Sequence, residues 1–70
     1  MRHIPTINQV KQGYADRVTK AVRTALVKCK DEMEVEIVLF YKALAEKPRK
    51  ATLKDLRFAT DIVETLAERA

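Results

Sequence analysis

Residues Asp31-Glu32-Met33-Glu34-Val35-Glu36-Ile37-Val38-Leu39-Phe40-Tyr41-Lys42-Ala43-Leu44-Ala45-Glu46 decide the fold of this 70-residue chain. In the first half of the stretch Met33, Val35, Ile37 and Leu39 alternate with Glu32, Glu34, Glu36 and Val38, the period of a half-buried strand. A strand needs a partner, and no other run in the chain reads as one, so a strand at 33–39 could pair only with its copy in a second subunit. The second half reads differently. Phe40 to Glu46 is helical in character, and Met33, Ile37, Phe40, Tyr41 and Leu44 share one helical face that absorbs the best residues of the strand reading. We therefore read 31–46 as a helix and hold the cross-subunit strand as the alternative.

Outward from this stretch, three helix starts carry the same signature, a short polar side chain followed three residues later by an acid or amide able to reach back to it. They are Thr6 with Gln9, Asp31 with Glu34, and Thr52 with Asp55, the last being the weakest because Asp is short for the reciprocal bond. Ile7, Val10, Tyr14, Val18, Ala21, Ala25 and Cys29 recur at helical spacing in the first segment. Leu56, Ala59, Val63, Leu66 and Ala70 do so in the third, with Phe58 and Ile62 widening the apolar face. Lys47-Pro48-Arg49-Lys50 separates the second helix from the third. The expected fold is all-α: a small three-helix chain with helices at 6–29, 31–46 and 52–69, residues 1–5 forming an N-terminal tail and 6–70 a single helical domain. Gly13 marks a point where the first helix is expected to fray or bend.

No Gly or Pro interrupts the chain between Tyr14 and Lys47, and the first apolar stripe runs on through Met33, Ile37, Phe40 and Leu44 without loss of phase. One continuous helix on the order of 55–60 Å long is thus a second architecture, which would oblige a coiled-coil-like dimer. The Asp31–Glu34 capping pair favours a break instead.

From Met33 to Ala45 every residue except Glu34, Glu36 and Lys42 is apolar or aromatic. A helix apolar nearly all round is buried on more than one side, and two neighbouring helices cover only part of such a cylinder. Small chains bury too little surface to be stable without help from disulfides, a metal or another subunit. One Cys and one His exclude an intrachain disulfide and a tetrahedral zinc site. The expectation is therefore a helical-bundle homodimer, with Val22, Leu26, Val35, Leu39, Phe40 and Tyr41 as the self-association face. The competing expectation is a compact three-helix monomer.

The same composition disfavours catalysis. The chain has no Ser, its only His is His3 in the tail, and it lacks phosphate-loop, dinucleotide and zinc-protease motifs. We expect no enzyme, no cofactor, no metal site and no catalytic residues. His3 reads as an exposed tail residue. Cys29 reads as a buried thiol on the apolar stripe, able to meet its own copy if the first helices pack together. No signal-peptide or membrane-spanning run is present, so the chain is expected to be soluble and cytoplasmic.

Formal net charge is +4, and its distribution is uneven. Basic residues dominate 1–30, where Asp16 is the sole acid; Asp31, Glu32, Glu34 and Glu36 follow; and Lys47, Arg49, Lys50, Lys54 and Arg57 then face only Asp55. Candidate phosphate or nucleic-acid contacts are Arg17, Lys20, Arg23, Lys28, Lys47, Arg49 and Lys50, the last three lying before a helix N-terminus that itself favours anions. These charges equally suit a solvated face or pairing with a neighbouring helix or subunit. A helix-turn-helix fits neither available register: with Gly13 as the turn, Asn8, Gln12 and Thr19 occupy positions that should be apolar, and a turn at 48–51 places Pro, Arg or Lys at buried positions. Tyr14 belongs to the apolar stripe, leaving no base-stacking platform among the basic residues.

Two functions follow as expectations. The first is a non-enzymatic, self-associating helical protein that binds a macromolecular partner, another protein, as a regulator, adaptor or inhibitor. The second is a small basic DNA- or RNA-associated protein contacting the phosphate backbone with weak sequence preference.

Overall fold

A computed structural model describes residues 4–69; His3 and the start of the tail, and Ala70 on the third apolar stripe, lie outside the described residues. Three helices follow one another, α1 (Ile7–Lys28), α2 (Glu32–Glu46) and α3 (Leu53–Ala67), with a single 3₁₀ turn at Pro48–Lys50 between the last two. Among the described residues there is no strand. The strand expected as an alternative at 33–39 is helical instead: nothing in the chain could satisfy its edges, whereas a helix closes its own hydrogen bonds.

Each helix starts one residue after its expected cap. Thr6 and Gln9 form the full reciprocal box, the Gln9 amide donating to Thr6 Oγ1 (3.2 Å) and the Thr6 amide to Gln9 Oε1 (2.9 Å). Asp31 and Thr52 accept from the amides of Glu34 (2.9 Å) and Asp55 (3.0 Å). Asp55 makes no return bond in the capping geometry of α3. The continuous helix through residue 44 is excluded, because Cys29 (ψ 138°) and Asp31 (φ −150°, ψ 176°) are extended and end one helix before the next begins. The polar side chain of Asp31 caps α2 more favourably than it would continue α1. Gly13 lies within unbroken helix.

Contacts at the ends set the topology. Thr60 Oγ1 reaches the Tyr14 carbonyl, Arg17 pairs with Glu64, and Arg69 donates to the Lys28 carbonyl, so α1 and α3 run parallel and are the most extensively packed pair. α2 returns antiparallel to both and packs more on α1 than on α3. Arg69 closes the far end. Its guanidinium grips both oxygens of Glu34 (2.8 and 2.7 Å) while the Lys30 amide donates to Glu34 Oε1 (2.6 Å), tying the end of α3 to the α1–α2 turn.

The core is built from small side chains: Ala15, Val18, Val22 and Ala25 of α1, Val38 and Ala45 of α2, and Ala59, Val63 and Leu66 of α3. Small residues let the helices approach closely, but they bury little. The chain is elongated, 47 × 24 × 16 Å, with a radius of gyration of 12.7 Å against ~11 Å for a compact chain of this length. Its accessible surface, 5492 Å², exceeds the ~4,450 Å² typical of a folded monomer of 8.0 kDa.

Candidate interaction surfaces

Several large apolar residues are outside this core, whereas Leu56 and Leu66 are buried. Met33 is 69% exposed, Phe40 65%, Phe58 55%, Leu39 47% and Ile37 37%. The reason lies in the phase of α2. Val38 and Ala45 point inward, and at about 100° per residue Leu39 stands to one side of that direction, while Ile37, Met33 and Phe40 swing progressively round the other. Thus the stripe that periodicity singles out on α2, Met33–Ile37–Phe40–Leu44, is not the stripe that meets α1.

That stripe joins the outer edge of α3 to form one apolar face. Phe40, Tyr41 and Phe58 make a chain of edge-to-face aromatic contacts, with centroids 5.3 and 6.2 Å apart. Phe40 separates two shallow grooves. One, of ≈ 390 Å³, is lined by Met33, Glu36, Ile37, Tyr41 and Ile62; the other, of ≈ 290 Å³, by Ala43, Leu44, Lys47, Lys50 and Ala51. A third groove, of ≈ 460 Å³, lies on the opposite edge of α2 against α1, lined by Thr19, Val22, Arg23, Leu26, Val27 and Lys42.

The six residues expected to form one self-association face are divided between these edges. Val22 is 6% exposed and belongs to the core of the subunit itself. Leu26 and Val35 are half-buried, and Leu39 is exposed toward the α1 side. Only Phe40 and Tyr41 lie on the α2–α3 face. Met33, Ile37, Phe58 and Ile62 complete that face, and the signal for them was in the sequence as the apolar surplus of α2 and the widened stripe of α3.

The basic residues are also dispersed. Arg17 pairs with Glu64 (2.6 Å), which raises its pKa through the hydrogen bond and the charge, and its guanidinium stands 6.0 Å from the centre of the Tyr14 ring. Lys20 and Arg23 are exposed on α1, Arg23 at the groove toward α2, whereas Lys28 is half-buried. Lys47, Arg49 and Lys50 lie in the turn between α2 and α3, where Lys47 and Lys50 line one groove, and Lys54 and Arg57 follow on the first turns of α3. Arg17, Lys54 and Arg57, with Tyr14, Phe58, Thr60, Asp61 and Glu64, line an open polar groove of ≈ 510 Å³ between α1 and α3. Mixed charges line it, and Thr60 is occupied by the Leu56 and Tyr14 carbonyls.

At the other end Asp31, Glu32, Glu34 and Glu36 gather on the first turns of α2, where the helix dipole favours them. The bond from Arg69, reinforced by the Lys30 amide, holds the Glu34 carboxyl at a pKa of about 2. Cys29 is half-buried, donates to the Ala25 carbonyl (3.2 Å), and has its thiol pKa raised chiefly by desolvation. Among the described residues no group of three or more His, Cys, Asp or Glu is placed to hold a metal ion, and no helix is long and apolar enough to cross a membrane. Comparison with protein-family models, with curated proteins and with solved structures finds no match for this chain. What the surfaces offer is apolar burial at the centre of the α2–α3 face and opposite charge at its two ends.

Proposed function

We propose that the chain is a small non-enzymatic helical interaction module that self-associates through the α2–α3 face and acts on a macromolecular partner as a regulator, adaptor or inhibitor. One observation supports this above all: the largest apolar side chains, Met33, Phe40 and Phe58, are 55–69% exposed on one face, while the core holds mainly Ala and Val. Contiguous apolar faces of this kind mark association sites. A second copy is the occupant that suits the face, since a two-fold axis needs no partner beyond the chain itself. The exposed charges of α1, Lys20 and Arg23, stay available to the macromolecular target.

Sedimentation equilibrium tests the reading. Expected is a mass near twice 8.0 kDa that falls on dilution; a concentration-independent mass of 8.0 kDa would remove its basis.

The run of Lys47, Arg49 and Lys50 in the turn before α3, with Lys54 and Arg57 on the first turns of that helix, supports a second reading, attachment to a nucleic-acid backbone. That reading requires retention on duplex DNA with affinity falling steeply between about 50 and 200 mM salt. Absence of retention at the lower salt discards it.

A further inference from the structure

We infer that two copies meet with their α2 helices antiparallel across a two-fold axis at Phe40, so that Glu36 of each copy faces the Lys47 and Lys50 end of the other. This rests on the self-association proposed above and adds its geometry.

Three features lead there. Phe40 is the ridge of the face, with a groove on each side of it along α2. A two-fold axis through the ridge stacks Phe40 on its counterpart and places the flanks of each ring over the grooves of the other copy. The grooves also differ in charge: Glu36 lines the one toward the start of α2, and Lys47 and Lys50 line the one toward its end. Reversing one copy brings the acidic groove onto the basic one. Finally, a parallel arrangement would set Lys47 and Lys50 against their own copies and Glu36 against its own, while also aligning the two helix dipoles unfavourably. In the antiparallel arrangement each ionic contact occurs twice, and positions equidistant from Phe40, such as Met33 and Lys47, become neighbours.

The arrangement is testable by cross-linking full-length chains in a Cys29→Ala background with a short bis-maleimide. An Ala43→Cys chain, which keeps the Phe40 ring and carries the thiol one turn along the same face, should cross-link to its own copy. Met33→Cys chains mixed with Lys47→Cys chains should yield the mixed dimer several-fold more readily than either self-linked product. If Met33→Cys chains link chiefly to each other, the helices are parallel and this inference fails while self-association stands. If sedimentation gives a dimer but Ala43→Cys does not cross-link, the face is wrong. A chain that is monomeric throughout overturns both readings.

Charge reversal supplies an independent measurement. A Glu36→Lys chain should associate with itself several-fold more weakly at low salt, as should a Lys47→Glu chain. Transferring both changes to one chain should restore wild-type association, because acid and base exchange places. No loss in either single variant would overturn the ionic pairing.

Discussion

Replacing Phe40 by Ala should abolish association while leaving the subunit folded. Phe40 is 65% exposed, so of the ~200 Å² of an aromatic side chain about 130 Å² remains for a partner to cover. At ~25 cal/mol/Å² that is about 3 kcal/mol per copy, and a two-fold interface counts it twice. Even if the second copy covers only half of that area, about 3 kcal/mol is lost per dimer and Kd rises by roughly a hundredfold. Within the subunit the ring touches Tyr41 edge-on and otherwise faces solvent, so the fold should change by no more than about 1 kcal/mol. Leu39→Ala is the matched control: it is the adjacent residue and also exposed, but it stands on the α1 side of α2. Sedimentation velocity across a dilution series, paired with thermal unfolding, reads both quantities. Phe40→Ala should be monomeric with a near-normal transition, and Leu39→Ala dimeric. The reverse outcome would move the interface to the α1–α2 edge, and unfolding of Phe40→Ala would show that the ring is core.

Further predictions concern the fold. Val38 is fully buried between the helices, so Val38→Ala should cost about 2 kcal/mol and lower Tm by roughly 10 °C; a shift of under 2 °C would contradict its place in the core. Gly13 is exposed within α1 and a Cβ there meets nothing within 4 Å, so Gly13→Ala should stabilise by about 0.5–1 kcal/mol, seen as a raised urea midpoint. Thr52→Ala removes the cap on the Asp55 amide and should cost about 1 kcal/mol by the same assay. Glu34 carries the pH dependence: its pKa falls from the ordinary 4.5 to about 2 on folding, so its contribution is complete above 4.5 and is lost as pH drops toward 2. Urea midpoints measured from pH 6 to pH 2 should fall less steeply for Glu34→Gln than for the unaltered chain, and identical slopes would exclude the Arg69–Glu34 clasp as the cause.

Much of this protein is written locally. Thr6, Asp31 and Thr52 announce the three helices because a cap is a bond between residues three apart, and the absence of a partner strand within the chain favours helix over strand at 33–39. The break after Lys28 is likewise carried by Asp31, whose side chain satisfies an amide that a continuous helix would bond otherwise. The apolar surplus of residues 33–45 is also plain in the sequence. Tertiary structure alone decided where that surplus points. α2 is apolar on nearly every side, so its periodicity cannot choose an inward face; the close approach of α1 and α3 through alanines and valines chose Val38 and Ala45, the side that fits a narrow gap. Phe40, Met33 and Ile37 were left with Phe58 on the outer surface, and Val22, expected at an interface, was drawn into the core. The same packing brought Arg69 to Glu34 and Arg17 to Glu64 across distances along the chain that no local pattern spans.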